Sequence, residues 1–169
     1  EPVPGYRLQK RLGKGGFGEV WKAIGPGGFA VALKFVSLSN QLNTSELRSL
    51  EVLKTLRHPN LLAIFGAWQV HGFLVLAMEI ADKTLLDRLN EAAAQGTAGI
   101  PHDELIRYME EAAKGIDYLN LPNDSFGDST KEAIQHRDIK PHNIFLMGGG
   151  VKIGDFGLLR ILKKTVTAH

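Results

Sequence analysis

The sequence predicts an α+β fold in two parts, a strand-rich part followed by the beginning of a helical part. Five short apolar or alternating runs, which are typical of strands, lie within the first 80 residues. Two longer patterns with helical composition and spacing follow from Thr84. Ile80–Lys83 lies between the two parts and is predicted to connect them.

The strand-like runs are bounded by turns that contain glycine, which adopts the backbone conformations that tight turns need. The five runs are Tyr6–Leu12, Glu19–Ile24, Phe29–Val36, Leu61–Val70 and Phe73–Ile80. One helix is predicted between the third and fourth runs, because leucine recurs every three residues at positions 47, 50, 53 and 56. This helix begins near Thr44 and ends before His58-Pro59.

The second part combines helices with one hairpin. Helices are predicted at Thr84–Ala94, which is rich in leucine, alanine and glutamate, and at His102–Asn120. Asn120–Gln135 is predicted to be a long loop, and Gly148-Gly149-Gly150 to join two short strands. The predicted apolar side of His102–Asn120 consists of Leu105, Met109, Ala112, Ala113, Ile116 and Leu119.

Composition narrows the function classes. The chain of 169 residues has a formal net charge of +2 and scattered basic residues, so we expect no nucleic-acid partner. It has no cysteine, which excludes disulfides and thiolate metal sites and fits a reducing compartment, so we expect a cytoplasmic location. No apolar run approaches the roughly 18 residues of a membrane span, and no secretory signal pattern opens the chain.

A glycine-rich motif follows the first strand-like run. It reads Gly13-Lys14-Gly15-Gly16-Phe17-Gly18-Glu19-Val20. Glycines allow backbone N–H groups to approach phosphates closely. A dinucleotide-binding turn would require a helix after the glycines, whereas Glu19–Ile24 alternates like a strand, so we expect a hairpin. An ordinary glycine-rich hairpin without a ligand remains an alternative.

A lysine on an apolar strand is the second chemical feature. Val31-Ala32-Leu33-Lys34 would bury a charge, which is unfavourable unless an anion accompanies it. Lys34 therefore predicts an anion near the glycine hairpin. A lysine whose charged end reaches solvent from a strand edge is the alternative.

Two acidic motifs lie near the end of the chain. The first, His136-Arg137-Asp138-Ile139-Lys140-Pro141-His142-Asn143, combines an acid, two cations and an amide, although a solvated charged loop would contain the same charges. The second is Asp155-Phe156-Gly157, a tripeptide that also occurs by chance. The intervening hairpin would bring Asn143 and Asp155 together as oxygen ligands for Mg²⁺.

These four motifs, in this order, resemble the protein kinase family over about Tyr6 to Arg160. Lys140-Pro141 resembles the Ser/Thr branch, and residues 134–141 resemble bacterial Ser/Thr kinases. The resemblance implies a two-lobed fold. Residues 1–80 would form an N-lobe with a five-stranded antiparallel sheet and one helix, residues 81–83 a hinge, and residues 84–169 the incomplete helical C-lobe, through the Asp-Phe-Gly and the early activation segment.

The resemblance also implies that ATP and Mg²⁺, or Mn²⁺, bind to this chain, with a protein carrying Ser or Thr as substrate. Met78 would be the gatekeeper, and Glu79–Ala81 would pair with adenine. The residues expected around the adenine ring are Leu12, Val20, Ala32 and Phe145. The phosphates would lie under the glycine motif, that is Gly13, Lys14, Gly15, Gly16, Phe17, Gly18 and Glu19, with Lys34 on the α- and β-phosphates.

In the catalytic loop, Asp138 would orient the substrate hydroxyl and accept its proton. Lys140 would steady the γ-phosphate, and Asn143 and Asp155 would bind Mg²⁺.

The sequence departs from the family at the helix glutamate that pairs with the strand lysine. The usual spacing back from His58 falls on Ser49. Glu46 lies on about the same helical face as Ser49, whereas Glu51 faces away. We therefore expect Glu46 to pair with Lys34. The alternative is that Glu46 is a solvated first-turn acid beside a cap at Thr44 or Ser45.

Two rival function classes follow. Ser49 favours a catalytically silent ATP-binding pseudokinase or scaffolding module, whereas Lys34, Asp138, Asn143 and Asp155 favour an enzyme. A dinucleotide-dependent oxidoreductase is excluded by the strand after Gly18. Because the sequence reaches His169 without an Ala-Pro-Glu motif, we expect these residues alone to have little kinase activity, and Thr165 and Thr167 to lie where family members carry activating phosphates.

Overall fold

The computed structural model describes residues 3–15, 18–121 and 133–156, which divide into two compact units. The first unit comprises the chain up to Leu56 together with Ala63–Ile80. The second comprises Arg57–Leu62 and the described residues from Ala81 onward. Arg57–Leu62 was assigned to the N-lobe from sequence, but its backbone is hydrogen-bonded to a strand of the second unit: Leu62 N–H donates to Ile153 O at 2.9 Å.

The first unit is built on the predicted five-stranded antiparallel sheet. Its strands are β1 (Arg7–Gly15), β2 (Gly18–Ile24), β3 (Ala30–Ser37), β4 (Ile64–Val70) and β5 (Phe73–Met78). The strand order is β1-β2-β3-β5-β4, and every pairing is antiparallel. The fold class expected for this part of the chain is therefore confirmed.

Alternation along β3 gives the sheet two different faces, since successive side chains of a strand point to opposite sides. Val31 and Leu33 belong to a buried apolar cluster on one face. Tyr6 and Trp68 pack against that cluster, with their rings edge to face at 5.3 Å between centroids. Lys34 therefore projects from the opposite face, which frees that face for polar chemistry.

Helix α1 (Thr44–Thr55) belongs to the first unit and packs against β4. It begins with a capping box in which Asn43 Oδ1 accepts the Glu46 N–H at 3.0 Å and Glu46 Oε2 accepts the Asn43 N–H at 2.8 Å. The cap is therefore Asn43, one residue before the positions considered from sequence. Leu50 is buried, but Leu47 from the predicted leucine repeat is 45 % exposed.

The second unit contains two helices and a small antiparallel sheet. The helices are α2 (Leu85–Ala94) and α3 (His102–Asn120), as predicted within one residue. The sheet consists of β6 (Lys83–Thr84), β7 (Ile144–Met147) and β8 (Gly150–Ile153). Gly148 and Gly149 form the β7–β8 turn with positive φ, which glycine adopts without strain. β6 was not predicted, because two residues carry no periodicity.

The apolar side predicted for α3 is buried in part, since Ala112 and Leu119 are buried. Tyr108 and Gly115 are buried, whereas Met109 and Ala113 are exposed. Gly115 adds to the buried side because it lies against the backbone of Asn60, where an added Cβ would be 2.6 Å from the Asn60 carbonyl oxygen.

Most of the predicted loop after α3 lies outside the described residues. Among the described helices, none is both long and apolar enough to cross a membrane.

Candidate active site

The glycine motif forms the β1–β2 hairpin, as its strand-like continuation predicted. Gly15 is paired with Gly18, Lys14 with Glu19, and Gly13 with Val20. Residues 16 and 17, which were also expected to cover phosphates, lie outside the described residues.

The sheet register brings the glycine hairpin and the lysine together. Val20 pairs with Gly13 on one side and with Lys34 on the other, and Lys34 in turn pairs with Leu76. Directly opposed residues of neighbouring strands share a face of the sheet. Gly13, Val20 and Lys34 therefore form one row across three strands. Ala32 and Met78 form the next pair on the same face, and both are buried.

The described glycines of the hairpin differ in whether the fold requires glycine at their positions. Gly18 has φ +117°, and a Cβ there would lie 1.8 Å from the carbonyl oxygen of Phe35, so the fold itself requires glycine. At Gly13 and Gly15 a Cβ would meet no heavy atom within 4 Å. Packing among the described residues therefore does not require glycine at these two positions.

Glu19 braces the hairpin. Its carboxylate lies 3.6 Å from Arg11 Nη1 and 3.7 Å from Lys14 Nζ, and it accepts the Trp21 indole N–H at 3.1 Å. All three partners lie in the β1–β2 hairpin, so Glu19 stabilises the conformation of the hairpin. Leu12, at the irregularity between the paired residues Arg11 and Gly13, is 47 % exposed.

Lys34 and Glu46 are both buried, with 7 % and 8 % of their surfaces exposed, and both have interaction partners within the protein. A buried charge without compensation is strongly unfavourable. Glu51, by contrast, is exposed and forms a 2.6 Å surface ion pair with Lys54. The burial of Glu46 is opposite to what a solvated first-turn acid would show.

The expected hinge residues begin at the end of β5. The Glu79 N–H donates to Ala63 O at 3.0 Å, and Glu79 Oε2 accepts the Ala63 N–H at 2.8 Å. This two-point contact fixes the end of β5 against the residue that precedes β4. Ala81 is half-buried and belongs to the second unit.

In the second unit, one carboxylate organises the catalytic-loop motif. Lys140 Nζ lies 2.8 Å from Asp138 Oδ2, and Asn143 Nδ2 donates to the same oxygen at 3.0 Å. Asn143 Nδ2 also donates to the Asp138 carbonyl oxygen at 2.8 Å. The structure thus brings together three of the residues singled out from sequence.

The surroundings of Asp138 keep it ionised. Partial burial alone would raise the pKa of Asp138, but hydrogen bonds from Lys140 and Asn143 outweigh burial and hold the pKa below its ordinary value. Because Asn143 directs its NH₂ group to Asp138, its amide oxygen is the atom left to bind a cation.

The imidazole of His136 connects the two acidic motifs. Its Nε2–H donates to the Gly154 carbonyl oxygen at 2.8 Å, and its Nδ1 accepts the Asp138 N–H at 3.3 Å. Burial lowers the pKa of His136 despite the Gly154 hydrogen bond, so the ring is neutral at pH 7 and can accept at Nδ1. Sequence reasoning assigned this residue no role, although a histidine two residues before a functional acid was a usable signal.

The β7–β8 hairpin places the two expected magnesium ligands at one end of the paired strands. Ile144 pairs with Ile153, and the Gly154 N–H donates to Asn143 O at 3.0 Å, so Asn143 and Asp155 follow directly from the pairing. Phe145 is half-buried and lies so close to Gly154 that a Cβ there would be 2.5 Å from its ring.

An amide oxygen and a carboxylate are hard oxygen donors of the kind that Mg²⁺ prefers, so the residues fit that ion. Within the described ranges, no group of three or more acidic or histidine side chains could hold a metal alone. A Mg²⁺ ion at Asn143 and Asp155 would complete its coordination with water or phosphate oxygens.

A protein-family profile described as "Protein kinase domain" matches residues 6–169, almost the whole chain. The chain belongs to the protein kinase family. The similarity extends to curated kinases of both specificities. The chain is 34 % identical over 161 residues to serine/threonine-protein kinase dst1 of Dictyostelium discoideum, covering 94 % of this chain and 20 % of that protein.

The chain is also 31 % identical over 169 residues to human protein-tyrosine kinase 6, covering 98 % of this chain and 34 % of that protein. Tyrosine-protein kinase SRK3 of Spongilla lacustris is 27 % identical over 162 residues, covering 95 % of this chain and 45 % of the relative. The chain thus spans less than half the length of these kinases. The expected likeness to bacterial Ser/Thr kinases stays a prediction.

The two kinds of glycine in this kinase hairpin lead to a first prediction. Gly18→Ala should lower the free energy of unfolding by at least about 2 kcal/mol, because its Cβ would collide with the β3 backbone at a positive φ. Gly15→Ala should change it by less than about 0.5 kcal/mol but weaken ATP binding about tenfold. Urea unfolding and titration with a fluorescent adenine nucleotide measure the two effects. Unchanged nucleotide affinity in Gly15→Ala would contradict the assignment of the hairpin to phosphate.

The buried His136 leads to a pH prediction. Burial lowers the pKa of His136 in the folded chain, so the unfolded chain binds a proton there at a higher pH, near 6.5. The free energy of unfolding should therefore decrease as the pH falls below about 6.5. The contribution of one proton is at most about 1.4 kcal/mol per pH unit. Urea unfolding between pH 5 and 8 measures the effect. The free energy of unfolding of His136→Asn should decrease less with falling pH than that of the wild-type protein. His71→Asn is the control, because His71 is exposed in a positive-φ turn that asparagine tolerates. If the free energy of unfolding depended on pH equally in all three proteins, His136 would not be the group responsible for the loss.

Proposed function

We propose that the protein carrying this chain transfers the γ-phosphoryl group of ATP to serine and threonine hydroxyls of proteins. The observation that carries the proposal is the ionised Asp138 held by Lys140 and Asn143. A carboxylate fixed in this way can accept a hydrogen bond from a substrate hydroxyl, orient its oxygen and take its proton.

The first unit would bind the nucleotide. The row of Gly13, Val20 and Lys34 places N–H groups, an apolar contact and a cation side by side. We propose that Lys34 binds the α- and β-phosphates and that Glu46 holds the lysine in place. The buried Ala32 and Met78 would contact adenine, as would Leu12 and Val20.

The second unit would supply the ligands for Mg²⁺, through the Asn143 amide oxygen and the Asp155 carboxylate. Bound Mg²⁺ would neutralise phosphate charge. Lys140, already 2.8 Å from Asp138, would add a positive charge beside the transferred group. Positioning and charge neutralisation are the main protein contributions to phosphoryl transfer.

Serine/threonine specificity rests on Lys140, which follows Asp138 by two residues as in the Ser/Thr branch of the family. Relatives of both specificities match the chain, so this part of the proposal needs its own test.

The complete gene product should incorporate phosphate into a basic peptide with serine or threonine at the acceptor position, and not into the same peptide with tyrosine. Radiolabelled ATP with Mg²⁺ measures the transfer. Lys34→Met should abolish it without loss of fold, because the variant removes a charge and keeps a similar stem. A preference for the tyrosine peptide would overturn the specificity. Nucleotide binding without transfer to any peptide would support the silent-module alternative.

The helix glutamate can be tested with a matched pair. Glu46→Gln removes the charge, yet glutamine still serves a capping box, so α1 should stay intact. Glu51→Gln removes an equal charge from the exposed side of the same helix, where its ion pair is worth less than about 1 kcal/mol. We expect Glu46→Gln to lower phosphoryl transfer at least about tenfold and Glu51→Gln less than about twofold. Equal small effects would show that Glu46 is not the partner of Lys34.

A further inference from the structure

Strand β8 is hydrogen-bonded along both of its edges. Gly154, the residue after β8, donates its N–H to the carbonyl oxygen of Asn143, the residue before β7. Backbone groups alternate in direction along the strand, so those of Val151 and Ile153 point toward the opposite edge. Such an edge would ordinarily present unpaired backbone groups. In this structure all four outward N–H and C=O groups of Val151 and Ile153 have partners.

Two of these partners come from the segment before β4. The Ile153 N–H donates to Asn60 O at 2.8 Å, and the Leu62 N–H donates to Ile153 O at 2.9 Å. This segment therefore runs beside β8 like a short parallel strand, through the bridge between Leu61 and Ile153.

The other two partners are side chains. Glu111 Oε2, on α3, accepts the Val151 N–H at 2.6 Å, and Asn60 Nδ2 donates to Val151 O at 2.9 Å. Asn60 Nδ2 also lies 3.5 Å from Glu111 Oε2. The Glu111 carboxylate thus connects α3 to β8. Its contact with the Val151 N–H is the shorter of the two and is a charge-assisted hydrogen bond.

Asp155, two residues after β8, adopts φ +59°. This left-handed conformation is unfavourable for a residue with a side chain and persists where the surroundings enforce it. On one side Gly154 is held between Phe145, Leu62 and the His136 ring. The strand that leads into Gly154 is a further constraint on this part of the backbone.

We propose that Glu111 is a positioning residue for the magnesium ligand Asp155. By holding Val151, Glu111 fixes β8 against α3, and β8 in turn fixes the direction in which the chain enters Gly154 and Asp155. This inference rests on the proposed function, since it assumes that Asp155 binds Mg²⁺ together with a nucleotide. Groups that orient a metal ligand without touching the metal commonly change metal affinity about 10- to 100-fold when removed.

The test is a Mg²⁺ titration of the full chain in the presence of a fluorescent ATP analogue at fixed concentration. Glu111→Ala should raise the Mg²⁺ midpoint about tenfold. Glu111→Gln should restore the wild-type midpoint, because its amide oxygen still accepts the Val151 N–H. The control is Glu110→Ala, which removes the same charge from an exposed neighbour on α3 and should leave the midpoint unchanged.

A second measurement separates positioning from general stability. Amide hydrogen exchange at pH 7 should become faster at Val151 and Asp155 in Glu111→Ala and stay at the wild-type rate in Glu111→Gln. If Glu111→Ala does not fold, Glu111→Asp replaces it, because that variant keeps the carboxylate and withdraws it by one methylene. Circular dichroism confirms the folded fraction before each titration.

The outcomes separate the two proposals. If Mg²⁺ has no effect on nucleotide binding by the wild-type chain, both the proposed function and this inference are overturned. A wild-type chain that responds to Mg²⁺, with an unchanged midpoint in folded Glu111→Ala or Glu111→Asp, would overturn the inference alone. A raised midpoint that glutamine does not restore would also overturn it, because the effect would then follow the charge of Glu111 and not its hydrogen bond.

Discussion

The second unit depends on β8 having hydrogen-bond partners along both edges. β7 occupies one edge, and Asn60, Leu62 and Glu111 occupy the other. An unpaired backbone group that is shielded from water is as unfavourable as a lost hydrogen bond. The segment that carries Asn60 therefore belongs with this sheet, although it lies between a helix and a strand of the first unit. The same constraint explains why α3 presents Gly115 to Asn60.

Through β8, the acidic motifs share one hydrogen-bonded framework. His136 receives the Asp138 N–H and donates to Gly154, the residue that links β8 to Asp155. Asn143 holds the Asp138 carboxylate from the β7 side. The expected proton acceptor and the expected metal ligands are thus linked through hydrogen bonds of the His136 and Asn143 side chains, which limit their displacement. Catalysis by positioning needs this rigidity, because errors of about 1 Å can lower rates about a hundredfold.

Much of this arrangement could be predicted because its signals are local. Period-two alternation and glycine turns located the five strands of the first sheet, and the four motifs identified the family. Contacts between distant segments could not be predicted in the same way. Glu111 is an ordinary glutamate on an amphipathic helix until α3 meets β8, 40 residues later in the chain. The prediction for α3 missed the buried Gly115 for the same reason, because glycine gives no apolar signal.

The sequence by itself determined the fold class, the family, and the residue types available for phosphate, metal and proton chemistry, since these follow from short-range pattern and composition. Only the tertiary structure decided which of two candidate glutamates on α1 is buried, which hairpin glycines the fold requires, and which groups hold Asp138 and β8. Burial and hydrogen-bond geometry arise when segments far apart in sequence pack together, so no local pattern contains them.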